Sequence, residues 1–123
     1  MLVRDLWVRA QAMHNLGDTD FARIHFLEAL NSIRADVNSR FKQVFTEVAA
    51  SDISANTDLA WGEHYDNAIR AGLKHYLMVS GAYAADPDPE AEGFYMRQLS
   101  RAMIGAIKAD GTLQTRNQPE TAA

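Results

Sequence analysis

Residues 20–49 read DFARIHFLEALNSIRADVNSRFKQVFTEVA, and this stretch decides the fold. Large apolar side chains recur in it every three or four residues, which is the spacing of one face of an α-helix. That face comprises Phe21, Ile24, Leu27, Leu30, Ile33, Val37, Phe41, Val44 and Val48. Asp18 or Thr19 can cap the first amides with a side-chain oxygen. The spacing therefore predicts a single long helix over residues 20–49.

The predicted helix is too long for the domain that contains it. At 1.5 Å per residue it would extend roughly 43 Å. Twice the radius of gyration expected for a chain of this length is only about 28 Å. We therefore expect one of two outcomes. Either the helix bends near its polar pairs, Asn31-Ser32 and Asn38-Ser39, or one end projects and leaves apolar side chains for a partner to cover.

Three further helices flank this one. The same periodicity predicts a first helix over residues 2–16 and a third over residues 63–82. A fourth begins at Asp88 and Pro89, a good helix cap followed by a good first helical residue, and ends near residue 111. The sequence thus predicts an all-α, four-helix bundle-like domain with one long helix.

A polar connector and a polar tail complete the chain. The connector, residues 50–62, is rich in turn-forming side chains, and a short pair of strands within it is an open alternative. We assign residues 1–111 to one helical domain. Residues 112–123 contain one large apolar side chain, Leu113, so we expect an extended or flexible tail that orders on a partner.

Composition limits the function. The 123 residues suffice for one domain, carry a net charge of −4 and include no cysteine, which excludes disulfides and thiolate chemistry. The start of the chain lacks the pattern of a signal peptide, and no apolar run approaches the roughly 20 residues of a membrane span. We therefore expect a soluble protein without membrane contacts. The acidic excess argues against a dedicated nucleic-acid binder, and residues 49–96 concentrate it with eight acidic and two basic side chains.

The sequence contains no recognisable catalytic or metal-binding motif. Its histidines are separated by 11, 39 and 11 residues, too far apart along helices to share one ion. The acidic run from Asp86 has Arg97 at the position where a calcium loop requires glutamate. We predict no metal, no cofactor and no enzymatic activity. The remaining enzymatic alternative is a small helical enzyme that acts through Glu63 and Asp66.

Five residues are candidates for an interface. Trp61 ends the connector and is either a core residue or an anchor for a partner, since tryptophan is enriched at binding hot spots. Gly72 lies inside a predicted helix, where it costs about 1 kcal/mol relative to alanine unless another helix approaches closely. Leu113, Arg116 and Asn117 are the tail residues expected to meet a partner.

The order of the segments resembles a known family. The chain carries GDTDF at 17–21, ALN at 29–31, DVN at 36–38, YDNAIRAGL at 65–73, and Phe94 with Tyr95 in the last helix. In element order and apolar spacing over about residues 1–109, it is similar to the head–tail connector (adaptor) proteins of tailed bacteriophages and gene transfer agents.

This resemblance implies a structural role in the virion neck. Such proteins form a ring, commonly of twelve copies, that binds the portal protein, continues the DNA channel and receives the next neck or tail component. They are assembled in the host cytoplasm, meet DNA only as channel contents and have no catalytic residues. Their C-terminal segments often reach toward the portal, as residues 112–123 would. The alternative is a cytosolic helical protein-interaction or regulatory module.

Overall fold

A computed structural model describes residues 1–80 and 88–109 of the chain. Within these ranges lie five α-helices, and the all-α prediction is confirmed. They are α1 (Val3–His14), α2 (Asp20–Phe41), α3 (Ser51–Ser54), α4 (Asp66–Ser80) and α5 (Ala91–Ala109), with a 3-10 turn, Glu63–Tyr65, before α4. None of the helices in the described ranges combines the length and apolar character that a membrane crossing requires.

Helix α2 begins as predicted but ends eight residues early, at Phe41 instead of residue 49. Its start is capped by Thr19, whose Oγ1 accepts a hydrogen bond from the amide of Ala22 at 3.1 Å. At its end Lys42 adopts a left-handed conformation with φ of 55°, and its amide donates to the carbonyl of Asn38. The helix therefore neither bends at its polar pairs nor projects as a 30-residue rod, because the chain reverses at Lys42.

Side chains of α2 bind the returning segment, residues 43–49, which has no regular secondary structure. The amide group of Asn38 bonds to both backbone groups of Phe45, accepting from its nitrogen at 3.0 Å and donating to its oxygen at 3.1 Å. Asn31 bonds to Val48 in the same way, at 2.8 and 2.9 Å. Arg34 adds a hydrogen bond to the Phe45 carbonyl at 3.2 Å. Each asparagine thus satisfies the backbone as a neighbouring β-strand would.

The spacing explains why two asparagines suffice. Positions 31 and 38 are seven residues apart, so they lie on one side of the helix and about 10 Å apart along it. Phe45 and Val48 are three residues apart in the returning segment, and three residues can span up to about 10 Å. The spacing of the two asparagines therefore matches the spacing of the two residues that they bind.

The connector folds against the N-terminus. The amide of Val3 donates to Thr57 at 3.0 Å, and the amide of Leu59 donates to Met1 at 3.0 Å. The N-terminal ammonium of Met1 also bonds to Asp58 at 2.9 Å. In place of a strand pair within the connector, the described residues contain one isolated antiparallel bridge, between Leu2 and Asp58. The connector consequently fixes the first turn of α1.

Helix α4 is the centre of the bundle and packs against both α2 and α5. The core between them contains Phe26, Ile33, Val37, Ile69, Leu73, Leu77, Tyr95 and Leu99, all buried. Helix α1 contributes Leu6 and Trp7, and the Trp7 ring packs on Phe26 with centroids 5.3 Å apart. Its main contacts are with α2 and α3, not with α4 or α5. This arrangement leaves space between α1 and the α4–α5 pair.

Candidate interaction groove

The structure places two predicted interface residues inside the chain. The Trp61 side chain is only 6% exposed and stacks on Phe45, with ring centroids 5.4 Å apart and an interplanar angle of 17°. Gly72 is buried where α2, α4 and α5 meet. A Cβ added there would lie 2.7 Å from Cγ1 of Ile33 and 2.8 Å from Cε1 of Tyr95. The absence of a side chain at Gly72 therefore allows α2 and α5 to approach α4 closely, as predicted for a glycine inside a helix.

The other three, Leu113, Arg116 and Asn117, lie outside the described residues, as does the predicted tail at 112–123. The predicted boundary at residue 111 is also outside the described ranges.

A polar node ties the three core helices together. Asp36 on α2 accepts hydrogen bonds through one oxygen from Tyr76 on α4, at 2.6 Å, and from Tyr95 on α5, at 2.7 Å. Burial, reinforced by the hydrogen bond to Asp36, raises the pKa of both tyrosine hydroxyls well above their ordinary range. Both phenols are therefore protonated at neutral pH and donate hydrogen bonds to Asp36, so the node stabilises the packing of the three helices.

The space beside α1 is an open groove of about 450 Å³. Its walls are α1, α4 and α5, and the described residues that line it include none from α2. Apolar side chains form much of the lining, among them Leu6, Ala10, Ala71 and Leu73. Met13 and Phe94 also line it and are substantially exposed to solvent. A surface of this shape is typical of a site that takes an apolar helix face.

Among the described residues that line this groove, every ionisable side chain is basic. Arg9 comes from α1, Arg70 and Lys74 come from α4, Arg101 comes from α5, and His14 lies at the end of α1. Lys74 pairs with Asp88 at 2.8 Å. Within the described part of the chain, no carboxylate forms an ion pair with any of the three arginines. The lining therefore concentrates positive charge in a protein whose net charge is −4.

The charge of the groove is reflected in His14. Its pKa is lowered from the ordinary value of 6.5, first by burial and second by the positive charge of Lys74. An anionic group in the groove would act in the opposite direction on this pKa. We refer to this surface, with its apolar lining and basic side chains, as the basic groove.

Sequence reasoning did not find the basic groove, although one signal was present. Residues 49–96 contain two basic side chains, Arg70 and Lys74, and both line it. They are four residues apart in one helix and so lie on one face. Their meeting with Arg9 and Arg101 depends on how three helices pack, which periodicity along a single helix does not encode.

No metal site is apparent in the described residues, since they contain no group of three or more histidine, aspartate or glutamate side chains placed to hold an ion. Glu63 and Asp66, the pair considered for catalysis, lie at the start of the 3-10 turn and of α4, where acidic side chains favour the helix dipole.

Comparisons of the chain with protein-family models, with curated proteins and with solved structures find no match.

Proposed function

We propose that this chain is a structural protein of a phage neck, which forms a ring that joins the portal to the tail and continues the DNA channel. The observation that carries the proposal is apolar exposure. Eight large apolar side chains of the described residues are exposed, namely Val8, Met13, Phe21, Ile24, Val44, Val79, Phe94 and Ile104. Exposed apolar surface that adjoins a groove is typical of protein–protein contact.

Two further properties support this role. The order of the helices resembles that of the head–tail adaptors, which act by contact with neighbours and without catalysis. The charge also suits a channel wall, because residues 49–96 carry eight acidic side chains and both basic ones line the groove. The other charged side chains of that segment are all acidic, and acidic side chains on a channel wall would repel DNA and let it pass.

The proposal is tested first in the genome, where we expect a portal gene beside the gene of this chain, and then with the portal protein itself. The full-length protein is mixed with the assembled portal ring and the complex is weighed by native mass spectrometry. We expect a ring of copies, possibly twelve, on each portal. A variant that lacks residues 112–123 should keep its helical circular dichroism and lose portal binding. Absence of any complex with the full-length protein would overturn the neck assignment.

A second candidate function is a cytosolic helical protein-interaction or regulatory module, and the basic groove favours it. An amphipathic helix with acidic flanks would bury its apolar face against Met13 and Phe94 and place its carboxylates near the arginines. The portal experiment separates the two candidates. A protein of this second class ignores the portal ring and binds one partner as a monomer or dimer.

A further inference from the structure

The outer face of α2 carries a surface whose chemistry is opposite to that of the groove. Phe21 and Ile24 are 63% and 56% exposed, although both are large apolar side chains. Asp20 and Glu28 flank them with side chains that are 95% and 70% exposed. At 100° per residue these four positions fall within about 100° of the helix circumference, so they form one stripe. We call this stripe the acidic ridge.

The ridge retains negative charge after its local ion pairs are counted. Arg23 bonds to Asp18 and, at 3.4 Å, to Asp20. A second guanidinium, that of Arg4, lines the same surface pocket as Asp18, Asp20 and Ile24. Three carboxylates, those of Asp18, Asp20 and Glu28, therefore outnumber two guanidinium groups, and His25, which lies 3.7 Å from Glu28, carries charge only when protonated. An apolar stripe with net negative charge suits a partner surface that is apolar and positive.

We infer that the basic groove of one copy receives the acidic ridge of a second copy, an inference that rests on the proposed ring and gives it a contact. From Asp20 to Glu28 the ridge is about 12 Å long, and the wall of the groove from Leu6 to His14 is also about 12 Å long. Phe21 and Ile24 pack against Met13 and Phe94, the exposed apolar side chains of the lining, while Glu28 and Asp20 approach the arginines.

The two surfaces lie on different helices, and this fixes the type of assembly. The ridge belongs to α2, and the groove is lined by α1, α4 and α5. A copy that uses its ridge still has a free groove, so the contact is head-to-tail. Repetition of a head-to-tail contact gives a closed ring if the rotation closes and a filament if it does not.

Two variants of the full chain isolate the two halves of the contact. The groove variant, Arg70→Glu with Arg101→Glu, keeps an intact ridge. The ridge variant, Phe21→Ser with Ile24→Ser, keeps an intact groove. All four side chains are exposed, so we expect each variant to keep the helical circular dichroism of the parent. Val79→Ser is the matched control, because Val79 is exposed and lies in neither surface.

Sedimentation velocity over a range of concentrations up to about 1 mM measures association. We expect the parent protein and the Val79→Ser control to self-associate, and added salt to weaken this association. Each double variant alone should associate at least about tenfold more weakly. An equimolar mixture of the two should form a one-to-one dimer and nothing larger, because only one ridge and one groove remain functional.

Three results would overturn the inference. They are a parent protein that is monomeric throughout the concentration range, variants that associate as strongly as the parent, and a mixture that fails to form the dimer. The portal experiment reports separately on the neck. If the parent assembles through ridge and groove but ignores the portal, the neck assignment fails and this contact stands. If it binds the portal while both double variants form the same complex, this contact fails and the neck assignment stands.

Discussion

The pair formed by α4 and α5 has two long edges, and they differ in nearly every respect. At the edge covered by α2, Gly72 admits Ile33 and Tyr95 at close range, and Asp36 binds both tyrosine hydroxyls. At the edge beside α1, an apolar groove stays open and its ionisable side chains are all basic. The first edge has its polar groups satisfied within the chain. The second includes three arginines, Arg9, Arg70 and Arg101, that form no ion pair with a carboxylate of the described residues.

This difference separates stability from binding within one small domain. Close packing and a satisfied polar node stabilise the fold, so changes there should lower the free energy of unfolding. Exposed like charges contribute little to stability and can even oppose it. Changes in the groove should therefore affect association and leave folding intact. Four predictions test this contrast, beginning with the largest expected effect.

Replacing Asp36 with alanine should have the largest cost, about 3 kcal/mol of unfolding free energy, because two phenol hydrogen bonds to a carboxylate are lost together. Asp36→Asn is the matched variant, since an amide oxygen still accepts from the phenols, and it should cost about 1 kcal/mol. Urea denaturation measures both. Equal losses in the two variants would contradict a role for the carboxylate in closing this edge.

Two glycines in neighbouring helices should respond in opposite directions to alanine. Gly72→Ala forces a methyl group against Ile33 and Tyr95 and should cost about 2 kcal/mol. Gly93→Ala in α5 meets ordinary contact, with Nη1 of Arg97 as the nearest atom at 3.6 Å, and should stabilise the protein by about 1 kcal/mol. Thermal and urea unfolding of both variants give the signs. Stabilisation by Gly72→Ala would mean that the α2 edge is loosely packed.

Two arginines, one in the groove and one bound to the backbone, should differ in their effect on stability. Arg70→Gln removes a groove charge and should change the unfolding free energy by no more than about 0.5 kcal/mol. Arg34→Gln removes the bond to the Phe45 carbonyl and should cost about 1 kcal/mol. If the Arg70 variant lost as much stability as the Arg34 variant, the groove would be part of the structural core.

The smallest effect concerns pH. The folded-state pKa of His14 is lowered, so below about 6.5 the unfolded chain takes up the proton first. The contribution of His14 to stability is therefore complete above about pH 6.5 and is lost as the pH falls through the folded-state pKa. Between pH 7.5 and 5 the parent protein should lose more stability than the His14→Gln variant. The two proteins differ only at position 14, so the difference isolates His14, and identical pH dependence would contradict the shift.

The sequence predicts the long helices of this fold because each has a periodic apolar face and a recognisable start. It predicts the end of α2 poorly, because the apolar spacing continues through Val44 and Val48 after the helix has stopped. Val48 belongs to the segment that returns along the helix and is buried there, whereas Val44 is almost fully exposed. Asn31 and Asn38 were interpreted as possible bends. They are polar because they bind a backbone, a use that becomes visible only when the segment they bind is placed.

The candidate site was still harder to predict. Trp61 and Gly72 stand out in the sequence as possible interface residues. In the structure, Trp61 stacks on Phe45 and Gly72 lies against Ile33 and Tyr95, so both make their contacts within the chain. The groove is formed by side chains that look like ordinary solvated arginines in three separate helices. What distinguishes Arg9, Arg70 and Arg101 is that they line one groove to which the described residues contribute no carboxylate, and this convergence is a property of tertiary packing.

The hydrogen bonds that Asn31 and Asn38 make to the segment after α2 have a consequence for hydrogen–deuterium exchange. The amide hydrogens of Phe45 and Val48 lie outside every helix, yet each is bonded to a side-chain oxygen of α2. In deuterated solvent these two amides should exchange much more slowly than the amides of neighbouring residues. They should exchange only when α2 itself opens. A segment without regular secondary structure would then share the opening equilibrium of the longest described helix in the molecule.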